Sequence, residues 1–182
     1  MTAVRLEDYT LEEIYLAAIK SETEANEIYT RLSSKAGNEL LKAKLKRLAE
    51  NENTHATLLI KMFLNEFPGK PINIPEKSPV PMPGMKDPDS ASVYDVLESA
   101  KEAEWAAAEF YGAFSELVKD DNEKAITLEI FYTMELGHLR LLEIELDYMR
   151  DKSQAMYDLA MTYIDEILDG TSGERKGDED VM

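Results

Sequence analysis

The sequence predicts an all-α protein, a four-helix bundle with one long crossover between its second and third helices. Three observations carry that prediction. Apolar residues recur at steps of three and four in four long runs. All seven prolines fall between Pro68 and Pro88, so the chain divides into two proline-free halves. Each half holds two of the runs, separated by a short polar turn.

Thr10 with Glu13 makes a capping-box start, and Leu11, Ile14, Ala18, Ala25, Tyr29 and Leu32 follow at helical spacing until Gly37. This predicts a first helix over about 10–35. Asn38 caps the second, in which Leu41, Leu45, Leu48, Glu52, His55, Leu59 and Met62 share one face until Pro68 ends it. The segment FPGKPINIPEKSPVPMPGMKDPDS reads as a linker. Extended, it reaches about 70 Å, against about 39 Å for a 26-residue helix, so it can run the length of the bundle and make helices two and three parallel. Ser92 and Asp95 open a third run through Leu97, Ala100, Glu104, Ala108, Tyr111 and Val118, and a polar stretch from Lys119 to Glu123 ends it. The fourth run carries Leu128, Phe131, Glu135, His138, Leu142 and Met149. Beyond about Arg150, Met156, Leu159, Tyr163 and Ile167 predict a short fifth, C-terminal helix. The expected organisation is one domain over 1–169, made of duplicated hairpins 10–66 and 92–150 joined by linker 67–91, and a disordered polar tail over 170–182.

Composition narrows the chemistry. A chain of 182 residues that is 44% hydrophobic can bury a sizeable core unaided. There is no cysteine, which excludes disulfides, thiolate metal sites and thiol catalysis. Any metal must be held by Asp, Glu and His. A net charge of -17 opposes binding to nucleic acid. The N-terminus lacks a basic region followed by an apolar run, and no stretch is apolar enough to span a membrane. A cytoplasmic protein is therefore expected, without nucleic acid or membrane as partner.

The two histidines each follow a glutamate by three residues, in Glu52-x-x-His55 and Glu135-x-x-His138. At that spacing the two side chains project about 60° apart on one helix face. Both pairs occupy the apolar stripe, where a buried carboxylate needs a metal, a cation or a proton. Glu22 and Glu104 lie on the stripes of helices one and three, each with a tyrosine seven residues later, Tyr29 and Tyr111. Glu22 precedes Glu52 by 30 residues and Glu104 precedes Glu135 by 31. All four carboxylates then fall about 22 Å from their turns, at one level of the bundle. Oxygen donors with one imidazole per metal suit iron or manganese. One glutamate from each of two helices plus Glu-x-x-His from the other two is the ligand rule of di-iron bundles.

Over residues 10 to about 150 the chain resembles the ferritin-like superfamily, and within it the rubrerythrin branch, through SETEANEIY, AENENTHATLL, AEWAAAEFY and MELGHLRLL. The resemblance implies two iron ions per chain, with Glu22 and Glu104 as terminal ligands, Glu52 and Glu135 bridging, and His55 and His138 each binding one iron. It implies that Tyr29 and Tyr111 hydrogen-bond those carboxylates, that the protein forms a homodimer, and that it reduces hydrogen peroxide with electrons from rubredoxin. Two departures are visible. The branch carries a Cys-ligated rubredoxin-type domain, whereas this sequence has no cysteine, so electrons would have to come from another protein. Lys101 and Ala107 stand where the branch places an additional glutamate beside Glu104.

The leading expectation is a di-iron oxidoreductase, a peroxidase acting on hydrogen peroxide or dioxygen. The alternatives are a ferroxidase for iron storage or detoxification and a non-catalytic metal-binding scaffold. The bland counterpart of the six-residue set is a polar core with protonated or histidine-paired glutamates. For the two tyrosines it is ordinary core packing. Trp105 reads as a packing or dimer-surface residue, Glu24, Glu27, Glu102 and Glu109 as solvated, and Glu145, two turns beyond His138 and too far to share the metals, as a plain surface position ahead of a rim or entry residue.

Overall fold

A computed structural model describes residues 5–172. Among them every regular element is helical. A 3-10 turn at Leu6–Asp8 precedes α1 (Leu11–Lys35), α2 (Glu39–Glu66), α3 (Val93–Leu117) and α4 (Asn122–Ser172). The caps are those the sequence provides. Thr10 and Glu13 form a reciprocal capping box, Asn38 accepts from the Leu41 amide, and Ser92 accepts from the Asp95 amide. Each satisfies amides that the first helical turn leaves without a partner.

The crossover works as its length suggests. Lys70, just after α2, pairs with Glu12 at the start of α1 at 2.5 Å. At the far end of the linker Asp87 and Asp89 pair with Arg31, and Asp89 pairs with Lys35, both near the end of α1. From Glu12 to Arg31 is about 28 Å of helix. The linker therefore runs the length of α1 and returns the chain to the end from which α2 started, so α2 and α3 are parallel. Val80, fully buried, pins the middle of this otherwise irregular segment to the core.

The chain divides into two compact units, Met1–Glu145 and Leu146–Met182. In the first, the core is one cluster running from Leu6, Ile14 and Tyr15 through Leu59 and Phe63 to Phe110, Phe114 and Phe131. Leu6 shows why the 3-10 turn forms: it places an apolar side chain on the end of the core. The second unit holds the remainder of α4. Among the described residues there is no separate fifth helix; residues 150–167 continue α4 unbroken to Ser172. The stretch around Arg150–Met156 contains neither proline nor glycine, and pairs such as Arg150 with Asp147 and Gln154 with Asp158 support the helix locally. Of the tail expected to be disordered, Gly170–Ser172 are helical and 173–182 lie outside the described residues. Among the described residues no helix is long and apolar enough to cross a membrane.

Candidate metal centre

Each of the four helices contributes to one polar cluster inside an apolar core. Glu22 on α1, Glu52 and His55 on α2, Glu104 on α3, and Glu135 and His138 on α4 are all buried, none more than 5% exposed. They arise locally from the rule that made the helices: each sits where the stripe would otherwise carry an aliphatic residue. Stretches so apolar on that face can only bury it against one another, and the six polar groups are carried in with it.

The cluster consists of two equivalent halves. His55 Nδ1 faces Glu135 Oε1 at 2.9 Å, Glu22 Oε2 at 3.2 Å and Glu52 Oε2 at 3.4 Å. His138 Nδ1 faces Glu52 Oε1 at 2.9 Å, Glu135 Oε2 at 3.0 Å and Glu104 Oε2 at 3.6 Å. Each imidazole nitrogen thus meets three carboxylates, one from its own helix and two from others. Glu22 serves only the His55 half and Glu104 only the His138 half, whereas Glu52 and Glu135 face both histidines. The two rings lie nearly parallel with centroids 5.8 Å apart. The tyrosines complete the pattern crosswise: Tyr29 on α1 donates to Glu104 on α3, and Tyr111 on α3 donates to Glu22 on α1.

This donor set fits two metal ions. Ligand atoms of Glu22, Glu52, His55 and Glu135 lie within 4.8 Å of one another, and so do those of Glu52, Glu104, Glu135 and His138. A nitrogen with a single hydrogen can serve one carboxylate well, and here it faces three. Glu52 Oε1 and Glu135 Oε1 each stand 2.9 Å from an Nδ1 and yet form no hydrogen bond. Buried oxygens left in this way are costly, and a cation between nitrogen and oxygens satisfies all of them. Without metal, the charges neutralise one another. Burial pushes the Glu22 carboxyl well above its usual range, reinforced by Glu135 and Glu52. Burial, with Glu135, does the same to Glu104. For Glu52 and Glu135 burial acts in that direction too, but the adjacent His138 and His55 rings outweigh it and hold both low. Burial disfavours charge on the imidazoles, and the carboxylates around them more than compensate, raising His55 to about 12 and pushing His138 well above its usual range. Two carboxylates then balance two imidazoliums.

Among the residues singled out in the sequence, all six proposed ligands and both tyrosines meet at this centre. Trp105 is half exposed, and Glu24, Glu27, Glu102 and Glu109 are exposed, as expected. Glu145 is not a surface position: it is 6% exposed and paired with Lys44. One further residue reaches the centre. The amide of Asn51 lies 3.0 Å from Nε2 of His138; its place beside Glu52, off the apolar stripe, carries no signal in the sequence. A cavity of about 350 Å³ between α1 and the linker includes none of the six in its lining.

The fold and the centre together define a ferritin-like helical bundle with a carboxylate and histidine site able to hold metal. The chain belongs to the rubrerythrin family, whose model matches residues 13–146. It is also similar to the solved structure of a hypothetical protein, Pfu-1136390-001 from Pyrococcus furiosus. The two are 35% identical, with a TM-score of 0.70 over 81% of this chain and 94% of that one. No curated protein matches the chain.

Proposed function

We propose that the chain is a di-iron oxidoreductase that reduces hydrogen peroxide, or dioxygen, with electrons delivered by a separate donor protein such as a rubredoxin. The single observation that carries the reading is the two-fold arrangement of four carboxylates and two imidazoles, in which Glu52 and Glu135 alone face both halves. In this reading Glu22, Glu52, His55, Glu104, Glu135 and His138 would hold two iron ions, with Glu52 and Glu135 available to both halves of the site. Manganese suits the same donors.

Bound iron supplies the two electrons that peroxide reduction needs. The chain's own residues do the rest. Tyr29 and Tyr111 remain protonated, because burial and the neighbouring carboxylates raise both phenols well above their usual range. They therefore stay donors and hold Glu104 and Glu22 in place. Phe131, 1% exposed and stacked 4.5 Å from His55, keeps water from that side.

Mixing the anaerobic ferrous protein with hydrogen peroxide while following near-ultraviolet ferric absorption tests the reading. Fast oxidation of about two irons per chain, with turnover when reduced rubredoxin is added, is the expected result. A protein that takes up no metal ends the di-iron reading. A second reading, oxidation of Fe(II) for storage or detoxification, draws support from Ala107 and Lys101, which leave Glu104 without an additional carboxylate neighbour at three residues. It predicts iron uptake well beyond two per chain.

A further inference from the structure

The two halves of the centre match in every ligand and in both tyrosines. They differ at the distal nitrogen of the histidines. His138 Nε2 has the Asn51 amide at 3.0 Å, whereas His55 Nε2 is buried without a hydrogen-bond partner. The residue that corresponds to Asn51 in the other half, immediately before Glu135, is Met134, which can accept only weakly.

Both imidazoles present Nδ1 to the carboxylates. A cation bound there takes the place of the Nδ1 hydrogen, so the neutral ring carries its proton on Nε2. That proton needs an acceptor. The two ends of a side-chain amide exchange by a half-turn, so Asn51 meets it with Oδ1. An acceptor on the far nitrogen fixes the ring tautomer and orientation and makes Nδ1 a better donor to metal. Phe131, stacked on His55, provides packing and no acceptor.

We infer that Asn51 is a positioning residue that makes the metal centre unequal, so that the half built on His138, Glu104, Glu52 and Glu135 binds its ion more tightly than the half built on His55 and Glu22. The inference rests on the two-metal reading of the site. Loss of such an outer hydrogen bond lowers metal affinity about 10- to 100-fold, and here the loss falls on one ion of the two.

The test is a titration of the whole metal-free chain with Co(II), followed by visible absorption, for wild type, Asn51→Leu and Asn51→Asp. Wild type is expected to fill in two resolved steps. Asn51→Leu weakens the tighter step about 10- to 100-fold and leaves the weaker step in place, and Asn51→Asp, which keeps an acceptor, restores the separation. Proton spectra of the Co(II)-loaded protein add a readout that packing alone would not move. One of two strongly shifted, exchangeable imidazole N–H resonances changes position in Asn51→Leu while the other stays, and Asn51→Asp brings it back. Unchanged constants and unchanged resonances in Asn51→Leu overturn the inference with the two-metal reading intact. Equal weakening of both steps, with a lower melting temperature of the metal-free protein, assigns Asn51 a general structural role and also overturns it. Failure of wild type to bind two ions removes the reading on which it rests.

Discussion

Loading the centre with metal should expel about four protons per chain. Without metal, Glu22 and Glu104 are pushed up by burial and hold protons, and His55 and His138 are held as imidazoliums by the carboxylates around them. Glu52 and Glu135 are ionised, so the cluster is neutral. Two divalent ions with four carboxylates and two neutral imidazoles are neutral as well. The exchange that conserves charge in this dry interior trades about two protons for each ion. Affinity for each ion should then rise with pH, since the protons displaced by metal are released more readily at higher pH. The sign for the metal-free fold is opposite. The unfolded chain releases these protons near 4.5 for the glutamates and 6.5 for the histidines, whereas the folded chain keeps them, His55 up to about 12. Metal-free stability is therefore greatest at the acidic end and falls as pH rises through 6.5. Isothermal titration with Mn(II) in buffers of different ionisation enthalpy counts the protons directly, and melting of the metal-free protein from pH 5.5 to 8.5 checks the second sign. Release of fewer than about one proton per ion would refute the argument, because it would mean the metal-free cluster holds a net negative charge of about two or more in the core.

Four substitutions probe the supporting structure. Tyr29→Phe removes the hydroxyl that donates to Glu104 and leaves a buried carboxyl oxygen unsatisfied; chemical denaturation of the metal-free protein should show a loss of about 1–3 kcal/mol. Phe131→Ala empties a site beside His55 and Tyr111, with an expected cost of about 3–5 kcal/mol by the same assay. Val80→Ala should cost about 2 kcal/mol. Because Val80 anchors the crossover, limited trypsin digestion should cut faster at Lys77 and Lys86, whereas Arg31→Ala, which breaks only exposed ion pairs with Asp87 and Asp89, should change stability by less than about 1 kcal/mol.

Much of this molecule is written in short-range patterns. Thr10 with Glu13, Asn38 and Ser92 mark helix starts within a single turn of chain, and Pro68 closes α2, because capping and proline geometry are local. The six metal-binding candidates are equally legible. A polar residue recurring on an apolar stripe at i and i+3 declares both its face and its burial, and equal distances from two turns place four such residues at one level. That α4 continues through residues 150–167 was not legible, since a pause in apolar periodicity does not end a helix that contains no breaker. What only the tertiary structure decided is which helix meets which at that level. Periodicity assigns a side chain to a face but leaves the rotation and axial register between helices free. The crossing of Tyr29 to Glu104 and Tyr111 to Glu22, the burial of Glu145 against Lys44, the seat of Val80 and the approach of Asn51 to His138 all depend on those two quantities. The sequence by itself determined the helices, their inward faces and the chemistry of the centre; the packing of α1 against α3 and of α2 against α4 determined the partners, because they are joined through space by side chains whose separation along the chain carries no local signal.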